Sequence, residues 1–107
     1  MKLDNLTNLH WLEPWYPASS ANFEAELARE VSPAHPLFGL KAICVGRRYD
    51  CDDVLFFLPN NPSPLAVVHL TWSLARESFP NCPRTAFYAS LDDWVERCMK
   101  VDHIEFE

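Results

Sequence analysis

His69 and Thr71 stand two residues apart in Leu65-Ala66-Val67-Val68-His69-Leu70-Thr71-Trp72, an otherwise apolar run. In an extended chain that spacing places both side chains on one face. An imidazole steadied by a neighbouring hydroxyl can act as a base or ligand in a pocket, with Asp102 or His103 as further titratable groups. The competing account is a histidine bonded to a backbone carbonyl or a carboxylate under a helix. For one histidine on a strand, that second account is preferred.

Cys98, Asp102 and His103 lie close together near the C-terminus, with Cys98 and Asp102 at i, i+4 on one helix face. Joined by Cys82 or His69, they would offer the sulfur and nitrogen donors that zinc takes. The spacing matches no zinc module, and Cys98 continues an apolar face with Leu91, Trp94 and Val95. A core thiol is therefore expected, with no metal and no other cofactor. Nucleophilic use of Cys98 or Cys51 with His69 or His103 has no local pattern behind it. Asp50, Asp52 and Asp53 present oxygens to a hard cation, but Asp-Cys-Asp-Asp lacks the spacing and glycine of a calcium loop. Arg47 and Arg48 precede them, so ion pairing across a hairpin is the more economical expectation.

Composition narrows the function classes. The chain has 107 residues, a size for one domain, and 49% of them are hydrophobic. The net charge of -6 argues against nucleic acid and acidic membranes, which select Lys and Arg. With only Gly39 and Gly46, no phosphate-cradling loop or dinucleotide fingerprint can be built. No apolar run reaches membrane-spanning length, and the first residues do not read as a signal peptide. The expected location is the cytoplasm, with Cys44, Cys51, Cys82 and Cys98 reduced.

The elements that must position these residues follow from periodicity. Residues 1–18 hold Trp11, Trp15, Tyr16, Pro14 and Pro17 and read as an irregular aromatic arm packed across the domain. Ser19 or Ser20 caps a helix over 21–31, with Phe23, Leu27 and Val31 on one side and Glu24, Glu26, Arg29 and Glu30 spread over the rest. Strands are expected over 40–48, 54–58 and 65–72, with a short fourth over 85–89. Gly46 marks a bulge or a close backbone approach. Residues 73–83, including Arg76, Glu77 and Pro80, read as a loop. Ser90 and Asp93 form a capping box for the last helix. Short connections favour antiparallel pairing. The expected fold is α+β, an antiparallel sheet of three to four strands with an N-terminal and a C-terminal helix, both near one face.

The Leu65–Trp72 run, Glu77, Pro80 and the helix start Ser90-Leu91-Asp92-Asp93-Trp94 resemble a group of small bacterial single-domain proteins over residues 50–104. That resemblance implies a bacterial cytosolic domain and transfers no catalytic residue. In size and charge the chain is also similar in type to bacterial immunity proteins.

The function expected from these residues is a non-catalytic protein-binding module of the partner-neutralising kind. Asp50, Asp52, Asp53, Trp11 and Trp15 are the candidate contacts, and a basic partner is the natural complement. The alternative is a small enzyme or metal-binding protein built around His69. An uncovered outer strand would also be an edge for a homodimer.

Overall fold

Strand β3 (Asp53–Phe57) is apolar at four successive positions, so it needs cover on both faces and takes the centre of the sheet. The computed structural model describes residues 3–73 and 82–106. Around β3 lie β1 (Trp15–Pro17), β2 (Ile43–Arg48), β4 (Leu65–His69) and β5 (Thr85–Tyr88), in the spatial order β1-β2-β3-β4-β5. Every neighbouring pair is antiparallel. Among the described residues the sheet thus has five strands, not three or four. The extra one comes from the N-terminal arm, where Trp15, Tyr16 and Pro17 pair with Arg48, Arg47 and Gly46. The arm also opens with a 3-10 turn at Leu3–Leu6 and is not wholly irregular.

The helices lie on opposite faces, which corrects the expectation of one shared face. Helix α1 (Ala21–Glu30) places Leu27 against Cys44, Val54, Phe56, Ala66 and Val68. The alternate residues Leu55, Phe57 and Leu65 pack with Trp15, Trp94, Cys98 and Met99 on the other side. The period of two along β3 sends successive side chains to opposite faces, so one helix cannot cover both. The C-terminal helix runs as α2 (Leu91–Trp94), a π-helical turn (Val95–Met99) and α3 (Lys100–Phe106). Residues 102–106 are therefore helical. Ser90 Oγ accepts the Asp93 N–H at 3.1 Å, while Asp93 reaches back to the N–H of Ala89 at 2.9 Å, one residue short of the usual box partner. Ser20 caps α1 by accepting the Phe23 N–H at 3.3 Å.

Glu26 and Glu30 do not spread over a solvent face; both are fully buried. Glu26 accepts two bonds from Arg29, and Glu30 accepts the N–H groups of Thr71 and Trp72. Trp72 sits at φ 57, a region costly for a bulky residue. The Glu30 carboxylate and an edge contact between Trp72 and Phe23 at 5.6 Å hold it there. The expected strand over 65–72 consequently ends at His69.

Gly46 answers both expectations made of it. The β2–β3 register shifts between Cys44 and Gly46. A Cβ at Gly46 would lie 2.6 Å from the Trp11 ring and 3.2 Å from the Tyr16 carbonyl oxygen. Trp11 has little room to retreat, because it packs edge-on against Trp94 at 5.8 Å. Gly46→Val is expected to cost about 1–3 kcal/mol, the usual range for overpacking. A urea midpoint equal to that of the parent chain would show that Trp11 yields freely.

Candidate functional site

Register brings three chemically distinct side chains into one row across the sheet. Asp53 on β3 pairs with His69 on β4, and the His69 N–H donates to the Arg84 carbonyl at 2.9 Å, extending the β4–β5 ladder by one step. Residues directly opposite one another share a face. Below this row lie Leu55, Val67 and Ala86, and below that Phe57, Leu65 and Tyr88. The C-terminal helix crosses the same face and adds Arg97, Cys98 and Asp102. Together these groups enclose a cavity of about 380 Å³, whose lining includes Asp53, Val67, His69, Arg84, Ala86 and Tyr88.

His69 is neither buried in the core nor free of partners. Its side chain is 42% exposed, and Nδ1 lies 2.8 Å from Asp53 Oδ1. An ionised carboxylate only accepts, so Nδ1 carries the proton and Nε2 is left for a ligand. Among the described residues no protein group bonds to Nε2. His35 is the buried histidine that a core account describes. Its Nδ1 accepts the Leu37 N–H at 3.0 Å, so Nε2–H donates to the Pro83 carbonyl at 2.9 Å.

Asp102 is heavily engaged. Its Oδ2 accepts from the Trp15 indole N–H at 2.8 Å and from the Cys98 thiol at 3.4 Å, and Arg48 Nη1 lies 3.4 Å away. Burial pushes the Cys98 thiol up to about 12, and the nearby Asp102 charge adds to the rise. At neutral pH Cys98 is a thiol and a poor nucleophile. Burial likewise raises the Tyr88 hydroxyl, with Cys98 reinforcing the effect. Arg97 stacks over the Tyr88 ring at 5.3 Å and holds Asp93 at 3.0 Å through one amino group.

The other candidate residues fall outside the cavity lining. Thr71 follows the end of β4, and its backbone N–H turns to Glu30 on the α1 side. His103 Nδ1 lies 2.7 Å from the Glu13 carbonyl oxygen and is tied to the arm. Asp50 pairs with Arg48 through two contacts at 2.8 and 2.9 Å, along the turn and not across the hairpin as expected, and Arg48 holds its carboxyl below the usual range. Arg47 instead lies over the Phe23 ring at 4.9 Å. Trp15 is fully buried, whereas Trp11 is half-buried and packs against Trp94. Asp52 is exposed, and its carbonyl accepts the Leu70 N–H.

All four cysteines are free, and no cluster of three or more metal-ligating side chains occurs among the described residues. Arg76, Glu77 and Pro80 lie outside the described residues. No helix among the described residues is long and apolar enough to cross a membrane. Arg84, Tyr88 and Arg97 escaped sequence reasoning. Tyr88 and Arg97 carry no local pattern, and Arg84 meets His69 only through a register set beyond a long connection.

No family model, curated protein or solved structure matches this chain.

Proposed function

We propose that this protein is a non-catalytic binding module and that the His69 cavity is where it takes its ligand. One observation carries the reading: His69 lines a concave space, half exposed, with Asp53 2.8 Å from one nitrogen and the other nitrogen unclaimed among the described residues. A cavity of about 380 Å³ is within the range of small-molecule sites, roughly 300–1,000 Å³. The enzymatic version uses His69 as a general base. Burial keeps the Cys98 thiol protonated, so among the described residues that version has no thiolate nucleophile beside the base.

His69→Ala distinguishes a pocket residue from a core residue. The expected stability change is within about 0.5 kcal/mol, as for surface positions generally. Compounds that raise the parent melting temperature in a thermal-shift screen should no longer do so in the variant. A variant that fails to fold would return His69 to the core and remove this reading.

Recognition of a basic protein is the second reading, favoured by a different surface. Tyr16, Tyr49 and Phe106 form a chain of ring contacts at 6.2 and 5.5 Å, beside the acidic Glu13 and the Asp50 that Arg48 already holds. Tyr49 is 51% exposed. Aromatic rings flanked by charge suit an anchor for a partner. Under this reading Tyr49→Ala abolishes salt-sensitive capture of a basic protein and His69→Ala leaves it intact.

A further inference from the structure

We infer that the His69 cavity selects an organic oxyanion, a carboxylate or phosphate monoester carrying a short apolar body. The inference rests on the cavity being a ligand site and goes further by naming what enters it. Among the described residues, the polar groups of the lining divide into those already engaged and those left open. Asp53 is held by His69, Asp102 by Trp15, Arg48 and Cys98, and Arg97 by Asp93. The open groups are His69 Nε2 and the exposed Arg84 guanidinium, which has no ion-pair partner among the described residues. They sit on register-paired positions, joined by the His69 N–H to Arg84 carbonyl bond of 2.9 Å.

This pairing fits an oxyanion. A guanidinium forks onto two oxygens of a carboxylate or phosphate, while His69 Nε2, the acceptor in the tautomer that Asp53 fixes, takes the O–H of the acid form and donates only as imidazolium. Two carboxylates in the lining would repel an anion if they were free. Their charges are instead met by donors that the fold supplies. Arg48, besides lying 3.4 Å from Asp102, is itself fixed by Asp50. Beneath the polar row, Val67, Ala86 and the Tyr88 ring form an apolar floor that asks for more than a bare inorganic ion.

The test is a titration of uniformly 15N-labelled protein with phenylacetate, phenyl phosphate and neutral phenylacetamide at fixed ionic strength. Saturable shifts at the amides of His69, Arg84 and Ala86 are expected for the anions, at least about tenfold tighter than for the amide. Arg84→Gln should weaken anion binding about tenfold, with Arg84→Lys between it and the parent, since lysine keeps charge but loses the fork. The tighter of the two anions identifies the headgroup. Equal affinity for phenylacetamide, or an unchanged affinity in Arg84→Gln, would overturn the oxyanion inference and leave the cavity a ligand site. Shifts at none of these amides with any probe would remove both readings.

Discussion

Trp94→Ala is expected to lower folding stability by about 3–5 kcal/mol, the range for emptying a buried aromatic position. The melting temperature should fall by roughly 15–25 °C for a domain of this size. Trp94 is completely buried and receives the edges of two other indoles, Trp15 at 5.2 Å and Trp11 at 5.8 Å. Removing it undoes contacts among the C-terminal helix, β1 and the arm together. Trp15 then loses packing while its N–H still holds Asp102 at 2.8 Å, so the rim of the cavity should loosen as well. Trp94→Phe is a sharper companion. The indole N–H of Trp94 is buried with no partner among the described residues, a cost that phenylalanine removes. The Phe variant should therefore lose much less, about 1–2 kcal/mol of packing. Calorimetry on both variants decides the matter: equal losses would mean that ring volume is not what Trp94 contributes.

Glu30 gives the second large effect, and it depends on pH. Burial raises its pKa above the ordinary glutamate value, and the adjacent Glu26 carboxyl adds to the rise. The folded chain thus holds this proton more tightly than the unfolded chain does. Stability linked to it is fully present below the unfolded value, about 4.3, and is lost as pH rises through the higher folded value. Asp50 and Asp93 shift the opposite way, the first through Arg48 and the second through the Ala89 N–H and then Arg97. Their contribution is lost as pH falls below the ordinary aspartate range, and solvent exposure keeps it small. Glu30→Gln keeps one acceptor oxygen and cannot titrate, so the decline above about pH 4.3 should flatten in this variant. Glu30→Leu removes both acceptors from Thr71 and Trp72 and should cost about 2 kcal/mol at neutral pH. Denaturant unfolding across pH checks both, and a Gln variant that keeps the parent slope would assign the titration to another group.

Alternation and capping were readable along the chain because they are local. The apolar run at Val54–Leu58 announced a strand, and β3 is the central strand. Gly46 was readable as a bulge because a missing Cβ implies a close neighbour, here the Trp11 ring. The three-residue β1–β2 register was not readable. Proline and three aromatics in the arm argue against a regular element, and Trp15–Pro17 becomes a strand only because β2 offers an edge. Glu26 and Glu30 misled for a related reason. A helical wheel assigns carboxylates to solvent, whereas here one meets Arg29 and the other meets two loop amides.

The sequence by itself determined the α+β class, the antiparallel pairing, an N-cap at Ser19 or Ser20 and another at Ser90, and the absence of a glycine-rich phosphate loop. Each depends on residues within a few positions of one another, where backbone geometry leaves few choices. Only the tertiary structure decided which groups meet His69. Asp53 reaches it through the β3–β4 register, Arg84 through an extension of the β4–β5 ladder, and Cys98 and Asp102 by the helix crossing that face. Thr71, two residues away, is drawn instead to Glu30. Neighbours in sequence are held together by the chain, but a cavity is held by register and packing, which a linear pattern does not specify.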